Sequence, residues 1–135
     1  MKSVHAEGNG LWIGWSGMTD EELNETIEDE VNVKIKEAKC KAVGLNEADV
    51  DDFYLGFSNR TLWPLFHYFL EYTEFDKNHW EAYKRVNQKF ADVVLDTIEE
   101  GDTVWVHDYQ LLLLPALIKE QKPEVTVGFF LHIPF

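Results

Sequence analysis

Two apolar runs near the C-terminal end each close on a histidine. The first, "TVWVHDYQLLLLP" (Thr103–Pro115), puts His107 and Asp108 directly after a strand-like stretch, and the second, "VTVGFFLHIPF" (Val125–Phe135), puts His132 after another. An aspartate placed directly after a buried strand can accept hydrogen bonds from sugar hydroxyls, act as a base where its pKa is raised, or cap the following turn through backbone amides. His132 must hydrogen-bond whatever lies at that rim, because an unpaired buried imidazole is costly. His107 lies inside the strand and is expected to bond to neighbouring backbone. Tyr54 and Trp63 each join an apolar face to one polar atom, which suits stacking on a sugar ring and equally suits a core position. Trp12 and Trp15 share one short glycine-bracketed stretch, so one can lean towards a crevice and the other towards core.

Other chemistries find little support. No histidine has metal-ligand spacing with another histidine or a cysteine. A His–Asp pair also serves metal phosphohydrolases, but no companion ligands stand out. GxGxxG, GxxxxGK[ST] and GxSxG patterns are absent, and Cys40, the single cysteine, has no histidine partner in its sequence context. His5 and His79 read as solvated, and His67 as a neighbour of the core.

The 135 residues are 45% hydrophobic and 14% aromatic, enough for one ordinary core. With 25 acidic against 12 basic residues the formal net charge is -13, which argues against a nucleic-acid backbone or an anionic membrane as partner. A lone cysteine, the lack of an apolar leader and the short apolar runs point to a reducing, cytoplasmic setting.

The elements that must position these residues are legible in part. "GNGLWIGWSG" (Gly8–Gly17) reads as a strand end opening into a tight turn. "VNVKIKEAK" alternates Val31, Val33 and Ile35 with polar residues, as an edge strand would. A short helix or turn follows from Glu47. The aromatic-rich "FYLGFSNRTLWPLFHYFLEY" is interrupted by Gly56, Ser58, Asn59 and Pro64, so it reads as neither one regular helix nor one strand. Trp80, Tyr83, Val86 or Asn87, Phe90, Val94 and Ile98 recur at helical spacing, which predicts a helix from His79 to Glu99, ended by Gly101 as a left-handed cap. Strand Thr103–His107, helix Pro115–Gln121 and strand Val125–Leu131 then form a strand–helix–strand unit, whose near-continuous apolar strands want cover on both faces. A right-handed crossover puts both strand ends on one edge of a parallel sheet. His107-Asp108 and His132 would then face one crevice, ~4.8 Å apart per strand, where open α/β sheets bind ligands. Phe135 directly follows a strand and a proline, so an incomplete domain is expected.

Five phrases, "GLWIGWSG", "FYLGFSNRTLWPLFHY", "YKRVNQKFAD", "VWVHDYQLLLLP" and "GFFLHIPF", occur in an order and spacing that resemble the trehalose-6-phosphate synthases, glycosyltransferase family 20. The resemblance runs from Gly10 to Phe135, with Met18–Asp52 the least distinctive part. It implies an α/β, Rossmann-like layered domain with a mostly parallel sheet. Residues 1–135 would be an incomplete N-terminal, acceptor-binding part of a GT-B glycosyltransferase whose C-terminal, donor-binding domain is absent. The implied reaction moves glucose from UDP-glucose to glucose 6-phosphate with retention, giving α,α-trehalose 6-phosphate and UDP. These 135 residues alone are expected to be inactive. A glucosylglycerol-phosphate synthase, or a non-catalytic sugar-phosphate-binding regulatory domain, is the alternative. By the same resemblance Trp15, Tyr54 and Trp63 line the glucose 6-phosphate pocket, Asp108 contacts the acceptor sugar, and His132 reaches the transferred glucose, with Asp108 and His132 as the catalytic pair. No cofactor or metal is implied, and self-association of a longer parent is allowed for. Two departures stand out: "MKSVHAEGNG" replaces the family's "SNR" and "GGL" segments, and Gln110 stands where "HDYH" is frequent.

Overall fold

The computed structural model describes residues 10–25, 34 and 39–133. His5 and the alternating stretch through Val31, Val33 and Ile35 lie outside them. The chain divides into two compact units, residues 1–47 and 48–135.

In the first unit, β1 (Trp12–Gly14) pairs in parallel with β2 (Cys40–Ala42), Ile13 opposite Lys41. After β1 the chain turns through Gly17 at φ +89, a left-handed conformation that glycine adopts without steric cost. Helix α1 (Asp20–Glu25) follows, with Asp20, Glu21 and Glu22 in its first turn, where acidic side chains complement the helix dipole. Thr19 and Glu22 exchange side-chain and backbone hydrogen bonds, Thr19 N–H to Glu22 Oε2 (2.8 Å) and Glu22 N–H to Thr19 Oγ1 (3.3 Å), a reciprocal cap at the helix start.

The second unit begins within α2 (Glu47–Asp49), which runs on into a π-helical segment, Val50–Leu62, and then α3 (Trp63–Phe66). The aromatic-rich stretch is thus continuously helical up to Phe66, where the sequence predicts interruption. Wide π winding absorbs Gly56 and Ser58 without a break, both buried. At Gly56 a Cβ would come within 2.8 Å of the His79 ring, so glycine lets that imidazole close on the backbone. His79 is therefore not solvated: its side chain is 16% exposed and lies 3.9 Å from Asp52 Oδ1. A 3-10 turn (Leu70–Tyr72) leads to the longest helix, α4 (Lys77–Thr97), opened by Asp76, whose carboxylate accepts from Asn78 N–H.

Helix α4 buries the face carrying Ala82, Tyr83, Val86, Asn87, Phe90 and Val94, packed on the π-helical segment and on the short helix Leu114–Gln121. The Tyr83 ring centres the aromatic packing, 4.6 Å from Phe57, 5.8 Å from Phe53 and 5.9 Å from Trp80. The helix ends at Ile98 in extended conformation, and Gly101, at φ +90, serves the turn that follows and not the helix cap.

Strand β3 (Thr103–His107), helix α5 (Leu114–Gln121) and strand β4 (Thr126–Phe130) form the expected parallel crossover, with Thr103 opposite Thr126 and His107 opposite Phe130. Val106, Leu114 and Ile118 lie in its buried layer. The other face differs from the expected two-sided cover: Trp105 is 59% and Phe130 48% exposed among the described residues. Trp105 lies across Gly128, where any Cβ would run into its ring.

Candidate functional site

Both strands deliver their carboxyl ends to one edge. The Asp108 N–H donates to Phe130 O at 2.8 Å, one step beyond the paired residues, so Asp108 starts its turn while still tied to β4. Its backbone lies at φ 75, ψ 172, a region essentially reserved for glycine that costs an L-residue ~1–3 kcal/mol. Asp108 is half-buried; Oδ1 accepts from Tyr109 N–H at 2.9 Å, and its carbonyl accepts from Leu111 N–H at 3.2 Å. One carboxylate oxygen thus fixes the turn while the group stands at the strand edge.

The turn is held from below by α4. Tyr83 Oη donates to Tyr109 O at 2.7 Å and accepts from Leu112 N–H at 3.0 Å. Asn87 Nδ2 donates to Gln110 O at 3.1 Å and to Tyr83 O at 2.9 Å. Burial pushes the Tyr83 hydroxyl well above its ordinary pKa, so it stays a protonated donor in that bridge. Tyr83 and Asn87 read in the sequence as members of an apolar helix face; the signal that sets them apart is a polar asparagine on a stripe of valine and phenylalanine.

Tyr109 is buried, and its hydroxyl donates to Asn59 Oδ1 of the π-helical segment at 3.3 Å. Its pKa is raised by burial first, then by the Asp108 carboxylate and, where the phenol is itself ionised, by Tyr54. Tyr54, 39% exposed, therefore shares an electrostatic neighbourhood with the Asp108 turn. Trp63, 42% exposed, stacks on His67 with ring centres 4.0 Å apart, and His67 Nδ1 lies 2.7 Å from Trp63 O. His67 is thus a half-exposed partner of Trp63 and not a core neighbour. Trp15 belongs to the first unit, where its indole N–H donates to Met18 O at 2.8 Å.

His132 follows β4 by two residues and meets His107 side chain to side chain: His107 Nδ1 lies 2.9 Å from His132 Nε2. Their rings are 5.2 Å apart and inclined by 24°. His107 is therefore not confined to backbone partners, as its place inside the strand suggests. Asp108 and His132 stand on one edge of the β3–β4 pair, with neither sealed in the apolar interior. Among the described residues no group of three or more His, Cys, Asp or Glu side chains is placed to hold a metal ion, and no helix is long and apolar enough to cross a membrane.

The family model for glycosyltransferase family 20 matches residues 1–135. A bifunctional trehalose-6-phosphate synthase/phosphatase of Thermoproteus tenax is 46% identical over 125 residues, 93% of this chain and 16% of that protein. A trehalose-6-phosphate synthase of Mycobacterium avium is 43% identical over 126 residues, 93% of this chain and 25% of that protein. Among solved structures, an E. coli protein described as bound with UDP-2-fluoro glucose superposes with a TM-score of 0.80 at 35% identity, over 99% of this chain and 29% of the other. An α,α-trehalose-phosphate synthase (UDP-forming) of Burkholderia xenovorans in complex with glucose-6-phosphate gives 0.77 at 31%, over 98% of this chain and 29% of the other. The chain thus spans between about a sixth and a quarter of the length of these curated relatives. It belongs to glycosyltransferase family 20, and its α/β fold with parallel strand pairs is the fold of those synthases.

Proposed function

We propose that this chain, a member of glycosyltransferase family 20, is the acceptor-binding part of a retaining glucosyltransferase that moves glucose from UDP-glucose to glucose 6-phosphate. The observation that carries the reading is Asp108: a carboxylate kept in a glycine-type backbone conformation, on the strand edge it shares with His132. Strain of that kind persists where surrounding structure over-determines it, and it concentrates at functional sites. Relatives in complex with glucose-6-phosphate and with UDP-2-fluoro glucose support the choice of acceptor and donor.

In this reading Asp108, with Oδ1 held by Tyr109 N–H, offers its other oxygen to a non-reacting hydroxyl of the acceptor sugar and so orients the attacking one. Tyr54 and Trp63 supply ring faces to the acceptor sugar, and His132 contacts hydroxyls of the transferred glucose. Retention follows from front-face attack: the acceptor oxygen bonds to the anomeric carbon on the face that the UDP phosphate leaves. The departing phosphate oxygen takes the acceptor's proton. Protein groups then contribute orientation and stabilisation of an oxocarbenium-like state, with proximity worth up to ~7–11 kcal/mol in the best model systems. The net charge of -13 supports small sugar phosphates over nucleic acids or anionic membranes as partners.

In the protein expressed from its complete gene, Asp108→Ala is expected to lower the rate of glucose 6-phosphate-dependent UDP release more than ~100-fold. A coupled UDP assay measures it, and a loss below about threefold would sink the assignment, since lost charge and orientation contacts carry effects of the larger size.

A further inference from the structure

The contact between His107 and His132 constrains both rings. Two imidazole nitrogens at 2.9 Å need one proton between them. With none, two lone pairs face each other; with two, N–H faces N–H. If His107 Nδ1 carries the proton, His132 Nε2 accepts, and a neutral His132 must be protonated at Nδ1. If His132 Nε2 carries it, Nδ1 of the neutral ring becomes an acceptor. Either way Nε2 is spent on the pair, and the state of one ring dictates the state of the other.

The surroundings hold that arrangement in place. His107 is the last residue of β3, in register with Phe130, so its Cα is fixed by the strand pair. The Phe130 ring stands edge-on to His132 at 4.6 Å and 72°, and lies 6.4 Å from the His107 ring. Trp105, two residues earlier on β3, has its ring centre 6.5 Å from that of His107 and its plane inclined by 64°. His132 is exposed and sits past the end of β4, where no ladder hydrogen bond among the described residues locks its backbone. Its aim therefore depends on the rings beside it, and among these His107 is the one that bonds to it.

We propose that His107 is a positioning residue for His132: the shared proton between His107 Nδ1 and His132 Nε2 selects the tautomer of His132 and leaves Nδ1 as the ring nitrogen it presents to the glucosyl donor. This rests on the reading of His132 as a donor-sugar contact. A hydroxyl of glucose can both donate and accept, so the tautomer decides which role it takes against His132, and disorder in the tautomer costs orientation in the transition state.

The test compares His107→Phe, which keeps a ring but has no nitrogen, with His107→Asn, whose amide can replace Nδ1, and with His132→Ala, all in the protein expressed from its complete gene. His107→Phe is expected to lower kcat on the order of 10- to 100-fold, as losing an orienting partner does. KM for glucose 6-phosphate should stay within about twofold and His107→Asn should recover most of the rate, since the acceptor contacts and the hydrogen bond are kept. Nitrogen-15 NMR of labelled histidines is expected to find one His132 tautomer in the parent and a mixture in His107→Phe. A His107→Phe enzyme within about twofold of the parent, beside a His132→Ala enzyme that has lost activity, would overturn the proposal, as an orienting contact is worth more than that. Identical His132 nitrogen signals in parent and His107→Phe would overturn it too. A fully active His132→Ala would instead sink the donor-contact reading, and the NMR comparison would still decide whether the pair sets the tautomer.

Discussion

Asp108 meets two demands that pull apart. Its backbone, at φ 75 and ψ 172, is glycine territory, yet glycine would remove the carboxylate that the proposed reaction needs. Comparing two substitutions separates the costs. Asp108→Ala deletes the carboxylate and keeps a Cβ in the disfavoured region, whereas Asp108→Gly deletes both. Both lose the Tyr109 N–H bond to Oδ1, so that loss cancels between them. Asp108→Gly is expected to be more stable than Asp108→Ala by ~1–3 kcal/mol in urea unfolding, with transfer lost in both. Equal unfolding midpoints would show that the backbone at this position carries no strain. The residue types at this edge were legible in the sequence, because a His-Asp pair and a histidine each close an apolar run. The side-chain pairing was not: it depends on strand register and ring rotation, which set His107 opposite Phe130 and turn its ring to His132.

At the scale of elements, the Asp108 turn is as firm as the helix beneath it. Tyr83 spans two backbone groups with one hydroxyl, and Asn87 takes a third, so α4 satisfies a stretch of chain that makes few bonds of its own. Removing the hydroxyl in Tyr83→Phe strands the Tyr109 carbonyl and the Leu112 N–H, for an expected loss of ~1–3 kcal/mol. The alkaline limb gives a second signature. Burial raises the folded-state pKa of Tyr83 above the ordinary 10.0, so above that pH the unfolded chain sheds the proton first and binds fewer protons than the folded one. Stability contributed by the neutral hydroxyl is then whole below pH 10 and falls as pH rises beyond it. Urea midpoints between pH 9 and 11 should therefore fall less steeply in Tyr83→Phe than in the parent, ~1.4 kcal/mol per pH unit being the most that one group can supply. Parallel pH slopes would mean that Tyr83 ionises alike in both states. The crossover of β3, α5 and β4 could be read from unbroken apolar runs separated by one short helix. The π winding of Val50–Leu62 could not, because no residue pattern in that stretch separates π from α winding, and the close approach of His79 to Gly56 is a tertiary contact with no local period.

Across the second unit, one buried charge ties segments far apart in sequence. Asp49, 0% exposed, lies at the start of the π-helical segment and receives Arg85 Nη2 and Nε at 3.0 Å, together with Lys89 Nζ, from α4. The sequence lists a strongly acidic chain, and nothing in composition marks which of its carboxylates is buried; that depends on α2 docking beside the basic turn of α4. The two sides of this cluster are unequal. The Arg85 and Lys89 side chains are 50% and 34% exposed, so they can be hydrated if Asp49 is neutralised. The carboxylate has no such recourse. Asp49→Asn is accordingly expected to cost less than ~3 kcal/mol, while the double substitution Arg85→Ala, Lys89→Ala, which leaves a buried charge without its cations, should cost ~3–5 kcal/mol. A triple variant combining them should recover part of the double variant's loss, because the uncompensated charge is gone. Urea unfolding of the three variants reads that order directly, and a triple variant less stable than the double one would show that the cluster contributes through packing of its side chains and not through their charge.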